Sequence, residues 1–228
     1  MDLRRFLGLG FSKKACFDVE IQMNKRFKPL RGGAIAVAIC GAVLANAAMA
    51  QADDARAKKI VGGVCFLCHG MEGELTSEGF PRLAGQHAEY TALQLGNFKS
   101  GKRKSSAMAG MVANLTTDEM VALGKYFEKK SYDVEPSKDP KLAAIGQAIY
   151  HQGDKDKGIA ACASCHGAEA KGSPTLPRLA GQMAVYIESQ LKQFKQRERT
   201  HDNAEMHDIA RKMSVQDIAA VAEYLSAK

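Results

Sequence analysis

The sequence predicts an all-α protein made of two tandem copies of one small helical unit. Two repeats and a periodicity point there. Cys65-Phe-Leu-Cys68-His69-Gly70 recurs 97 residues later as Cys162-Ala-Ser-Cys165-His166-Gly167, and Pro81-Arg-Leu-Ala-Gly-Gln86 recurs 96 residues later as Pro177 to Gln182. Between these landmarks the apolar residues fall at helical spacing. Tyr90 and Phe98 face Tyr186 and Phe194, and then Met108, Thr116, Glu119 and Tyr126 face Met206, Ser214, Asp217 and Tyr224 at an offset of 98. A drift of one or two residues implies small loop insertions between fixed points.

The elements follow in order. Lys25, Arg26, Lys28 and Arg31 precede an apolar run from Gly32 to Leu44, and Ala48-Met49-Ala50 fits a small-x-small cleavage site. Residues 1–50 are therefore predicted to be an N-terminal extension and export signal, cleaved after Ala50, with Met23 as an alternative start. The apolar run is shorter than the roughly 20 residues that a membrane span needs. Bulky Ile39 speaks against lipid attachment at Cys40. The first copy is placed at 51–130, a charged linker with two prolines at 131–140, and the second copy at 141–228. Each copy should open with a short helix before the Cys pair and pass through a Gly/Pro-punctuated loop. A helix from about Gln86 to Ser100, with its counterpart, and a terminal helix should follow. Thr116 with Glu119, and Ser214 with Asp217, read as N-caps with an acid at the third position. Met120, Leu123 and Phe127, and Ile218, Val221 and Leu225, then supply an inward face.

Composition narrows the function classes. The formal charge is +7, but eight of the 32 basic residues and only three of the 25 acids lie in residues 1–50. Residues 51–228 then hold 24 basic and 22 acidic groups, close to balance, which removes the main support for nucleic-acid binding. With no Trp and 7% aromatic residues, a small domain here has few bulky side chains for a core, so a buried prosthetic group is expected to supply apolar surface.

Cys-x-x-Cys-His sets two thiols about one helical turn apart with an imidazole beside them. That spacing suits two thioether bonds to haem and one axial nitrogen on its iron. Cys65, Cys68, Cys162 and Cys165 are the predicted attachment points, and His69 and His166 the predicted axial ligands. A zinc site leaves the His after each pair unexplained. A thioredoxin-like pair wants a βαβ context, and a disulfide does not need the His.

Of ten methionines only Met108 and Met206 occupy equivalent places, each eight residues before the hydroxyl cap. They are the predicted sixth ligands. Met111, Met120 and Met213 face Ile209, Ile218 and Leu115 and read as packing. His/Met ligation raises the potential and fills the iron, which suits outer-sphere electron transfer rather than oxygen or peroxide binding. His87, His151, His201 and His207 do not recur and read as satisfied polar residues, with His207 the one rival to its neighbour Met206. Pro81 and Pro177 should lie over the proximal side, where a carbonyl can accept the ring N–H of the axial His.

With the doubled haem motif, the doubled Pro-Arg-Leu-Ala-Gly-Gln segment and the Met before each last helix in view, residues 51–228 resemble the cytochrome c4 family, tandem class I di-haem cytochromes c. The resemblance implies two cytochrome c class I-like domains and two covalently bound haem c groups, with His69 and Met108 on one iron and His166 and Met206 on the other. It implies a periplasmic carrier, soluble or held peripherally at the membrane, passing electrons from a quinol:cytochrome c reductase towards a terminal oxidase, with no substrate turnover of its own. The alternative is a di-haem electron-accepting subunit of a larger dehydrogenase; a di-haem peroxidase would need an iron that opens, which the paired methionines oppose. One departure is local: Gly146 and Tyr150 mark the second copy's first helix, whereas Lys58 stands where the first copy wants a small residue. The paired basic stretches Lys99, Lys102, Arg103, Lys104 and Lys192, Lys195, Arg197, Arg199 are a candidate docking surface.

Overall fold

A computed structural model describes residues 51–74, 77, 79–199 and 204–228. The predicted leader, its cleavage after Ala50 and His201 lie outside these residues. From Asp53 to Lys228 the chain forms one unit, helical throughout, with only isolated bridges at Asp154–Ile159 and Ser173–Leu176 among the described residues. The first copy contains α1 (helical from 53 to 60), a π-helical turn Val61–Cys65 and α2 (Phe66–His69). After these come α3 (Ala88–Lys99), α4 (Ser106–Val112) and α5 (Thr117–Glu128). The second repeats the order with α6 (Pro140–Gln152), α7 (Ala163–His166), α8 (Ala184–Lys195), α9 (Ala204–Ala210) and α10 (Val215–Ser226).

Local chemistry sets the boundaries. The Asp139 side chain accepts from the amides of Lys141 and Leu142, Pro140 occupies the first helical position, and α6 stops at Gly153 with φ 71°. Both last helices open on a full capping box, Thr116 with Glu119 and Ser214 with Asp217, as the sequence pattern requires. The seven-residue helices α4 and α9 were not foreseen as elements. Ser105 caps α4 by accepting from Met108 N, and neither helix is long enough to show a period.

Each copy has its own core. Ala57, Val61, Ala122, Leu123, Tyr126 and Phe127 form one; Ile149, Tyr150, Ile187, Leu191, Ile218, Val221 and Leu225 belong to the other. The expectation for Lys58 is corrected here. Lys58 is exposed, and the small residue of α1 is Ala57, 0% exposed, four residues before the equally buried Val61. That pair repeats the spacing of Gly146 and Tyr150. The nine-residue loop between α6 and Cys162, missing from the first copy, hid the one-residue register error.

Asp217 carries the second capping box further. Its carboxylate receives Lys157 Nζ at 2.9 and 3.0 Å and the Ser214 amide at 2.8 Å. Burial pushes this carboxyl upward, but Lys157 and Ser214 outweigh burial and hold it below the ordinary carboxylate range. A depressed folded value means stability that is present above the unfolded value and lost as pH falls through that range. Asp217→Asn is expected to cost the second domain about 1–2 kcal/mol at neutral pH, with the difference from the parent shrinking in acid melts.

The two copies meet through their repeated Pro-Arg-Leu-Ala-Gly-Gln segments. Gln86 accepts from Arg178 N at 2.8 Å and donates to Arg178 O at 3.0 Å, while Gln182 accepts from Arg82 N at 2.8 Å and donates to Arg82 O at 2.9 Å. The contact is reciprocal, as between subunits related by a twofold axis. A second exchange flanks it. Arg103 reaches Tyr186 Oη and Gln190 Oε1 at 2.8 and 2.7 Å, and Arg199 reaches Tyr90 Oη at 2.9 Å. The linker joins in: Tyr132 Oη donates to Ala180 O at 2.7 Å beneath the Arg82 guanidinium, which also donates to Gly181 O. Gln182→Ala would strip partners from a backbone amide and carbonyl, at a cost of about 1–3 kcal/mol. Calorimetry should then resolve the unfolding of the two domains.

This contact corrects the docking expectation. Arg103 and Arg199 are 9% and 6% exposed and are spent on the joint between the copies. Lys99 and Lys195 tie down the segment just before each last helix, donating to Leu115 O at 2.5 Å and Met213 O at 2.6 Å. Four of the eight paired cations thus recur because the fold needs them.

Candidate functional site

The motif residues lie on one short turn in each copy. Cys65 closes the π-helical turn and Phe66–His69 adds one α-turn, ended by Gly70 at φ 76°, whose amide bonds Phe66 O. In the second copy Ala163–His166 is ended by Gly167 at φ 77°, bonded to Ala163 O. Only glycine takes that backbone at little cost, and it turns the chain away immediately after the His. The loop then returns along the same face. Gly73 O accepts from Leu83 N and Ala84 N, and Ala170 O accepts from Leu179 N and Ala180 N.

This return places a carbonyl on each imidazole. His69 Nδ1 donates to Pro81 O at 3.0 Å and His166 Nδ1 to Pro177 O at 3.4 Å. A carbonyl only accepts, so the proton is fixed on Nδ1 and the lone pair on Nε2. Burial pushes both imidazoles down, and the carbonyls oppose it only in part, which keeps the rings neutral. A neutral, oriented Nε2 is what an axial iron ligand requires.

The thiols fit haem better than the alternatives. Cys65, Cys68, Cys162 and Cys165 form no disulfide. Burial pushes the Cys65 thiol up and the Cys162 thiol to about 11. Redox-active and zinc-bound thiols want the reverse, a stabilised thiolate. Among the described residues no group of three or more His, Cys, Asp and Glu is arranged to hold a metal ion. A neutral thiol suits addition of S–H across a vinyl double bond, which yields a thioether.

Met108 and Met206 are each the third residue of a seven-residue helix, α4 and α9, and each is half-buried. Met206 packs against the core cluster that also receives Cys162. The described non-recurring histidines, His87, His151 and His207, are satisfied elsewhere. His87 bonds Lys171 O at 2.7 Å and His151 bonds Tyr224 Oη at 2.9 Å. His207 donates from Nδ1 to Phe194 O and accepts Arg197 Nε at Nε2, so both nitrogens of this rival to Met206 are occupied. Sequence reading places Tyr150 in the first helix of the second copy but misses its role: fully buried, its hydroxyl donates to Gly167 O at 2.6 Å and so braces the turn after His166. In the first copy Tyr126 does this from the last helix, donating to Met71 O at 2.9 Å. The paired recurrence of Tyr126 and Tyr224 concealed that the role had moved to another helix.

Two tandem helical domains, each with a Cys-x-x-Cys-His turn and a carbonyl-oriented imidazole, define a double c-type haem protein. The cytochrome c family model matches residues 55–129 and again 143–227. Cytochrome c4 of Pseudomonas aeruginosa is 36% identical over 178 residues, covering 76% of this chain and 88% of that one. The thiosulfate dehydrogenase electron acceptor of Thiomonas intermedia is 37% identical over 211 residues, covering 90% and 94%. The crystal structure of reduced recombinant cytochrome c4 from Pseudomonas stutzeri superposes with a TM-score of 0.70 at 33% identity, over 75% of this chain and 96% of that one. The chain belongs to the cytochrome c family and, within it, to the cytochromes c4. It is a di-haem electron carrier, and its two cytochrome c domains imply two covalently bound haem c groups.

Proposed function

We propose that Cys65 and Cys68 in the first domain, and Cys162 and Cys165 in the second, bind haem through thioethers. His69 with Met108 would ligate the iron of one haem, and His166 with Met206 that of the other. Haem supplies the one-electron couple. The protein's own groups do the rest. Pro81 O and Pro177 O aim the imidazoles and raise their basicity, the two methionines exclude exchangeable ligands, and the reciprocal Gln86 and Gln182 contacts keep the two centres in one rigid relation. Such a site moves an electron with little rearrangement and has no open position for a substrate, so the chain turns over nothing of its own. The observation that carries this reading is the equivalent placement of Met108 and Met206, each third in its seven-residue helix.

The leader, with its basic start, apolar run and Ala48-Met49-Ala50, supports export to the periplasm. There the protein would receive electrons from a quinol:cytochrome c reductase and pass them to a terminal oxidase, as a soluble or peripherally membrane-bound shuttle. A second reading has a specific support: the Thiomonas relative, matched over 94% of its length, is an electron acceptor of a dehydrogenase. Under that reading the immediate donor is a dehydrogenase. Both readings need the same site, and purification from the native membrane fraction separates them. A stoichiometric dehydrogenase partner favours the second; oxidation of reductase-reduced protein by the oxidase favours the first. Met206→Ala is expected to remove the near-infrared sulfur-to-iron band of one haem and leave that of the other. Retention of both bands would contradict the ligand assignment.

A further inference from the structure

Thr91 is a polar group placed where its counterpart is apolar. It lies in α3, 7% exposed, and its Oγ1 is fully buried with no hydrogen-bond partner. The repeat puts Ile187 at the same position of α8, and Ile187 belongs to the buried cluster against which Cys162 and Met206 pack. Other positions of this interior keep their character between copies. Leu95 and Leu191, Leu123 and Val221, and Phe127 and Leu225 are apolar in both. Thr91 is thus a hydroxyl facing the interior that an alkyl chain completes in the second domain. A buried hydroxyl without a partner is unfavourable to folding, and such groups concentrate where another component of the site interacts with them.

We propose that Thr91 tunes the iron of the first domain, its hydroxyl dipole lowering that haem's reduction potential relative to the second. The physical basis is simple. The oxidised centre carries one more positive charge than the reduced one, and a hydroxyl can rotate its dipole to favour the charged state. A methyl group cannot, so apolar surroundings favour the reduced iron and raise the potential. The asymmetry gives the two centres of one chain a built-in order, with the first domain the better donor and the second the better acceptor. The inference rests on the haem assignment made above.

The test is a spectroelectrochemical titration of the full holoprotein and three variants. Thr91→Val keeps the β-branched shape and removes the hydroxyl. It should raise one of the two potentials by about 59 mV, a tenfold change in that one-electron equilibrium, and leave the other in place. Thr91→Ser, which restores a hydroxyl, should return close to the parent value. Ile187→Thr should lower the other potential. Unmoved potentials in Thr91→Val, an equal shift of both haems, or a Thr91→Ser variant displaced as far as Thr91→Val would each overturn the proposal. Unmoved potentials in a variant that keeps both haem spectra defeat only the tuning role; missing haem spectra in the parent defeat the haem assignment itself.

Discussion

Replacing Cys162 and Cys165 with serine is expected to halve the covalent haem content and leave the first domain's redox wave standing. The proposed thioether bonds are local to each motif turn, and the two cores, one around Ala57, Val61 and Leu123 and one around Tyr150, Ile187 and Ile218, are separate. The loss should still go beyond colour. With no Trp in the chain, the second domain depends on the cofactor for bulk at its centre. Its melting transition should therefore fall sharply, because an emptied pocket of that size exceeds the cavities that cost about 3–5 kcal/mol in protein cores. Haem per polypeptide from the pyridine haemochrome, read beside a calorimetric scan, checks both outcomes. Two haems retained after acid-acetone treatment of this variant would place the attachment elsewhere.

Gly146→Val is the second large effect. A Cβ at this position would lie 1.9 Å from Ala220 O and 2.9 Å from Val221 N, both backbone atoms of α10. No side-chain rotation relieves such a contact, so α6 must move off α10 and open the core around Tyr150 and Val221. We expect a loss of at least about 3 kcal/mol, read as a fall of about 12 °C or more in the second domain's transition. Ala57→Gly, the reciprocal change in the first copy, should cost only about 1 kcal/mol, through helix propensity. A Gly146→Val protein that melts like its parent would show that the helices do not cross this closely.

The contrast between those two positions shows how far the sequence could be read. Chemistry confined to a few neighbouring residues was legible. The Cys-x-x-Cys-His turns, the Thr116 and Ser214 caps and the carbonyls of Pro81 and Pro177 depend on spacings of a dozen residues or fewer, and each geometry follows from residue type. The register of α1 was not legible, because the loop before Cys162 breaks the offset between copies just where Ala57 and Gly146 must be aligned. Nor was the joint between domains. A repeated Gln86 and Gln182 reads equally well as surface or as contact, and only three-dimensional folding shows each reaching into the other copy's backbone. Arg103 and Arg199 misled for the same reason: repetition shows that a residue matters to the unit, without saying whether solvent, a partner or the neighbouring unit receives it.

Denaturing mass spectrometry of the purified holoprotein tests the whole reading most directly. A single species heavier than the polypeptide by two haem groups is expected, with trypsin releasing one haem-bearing peptide from the Cys65–His69 turn and one from the Cys162–His166 turn. A bare polypeptide mass, or a metal lost on unfolding, would contradict it.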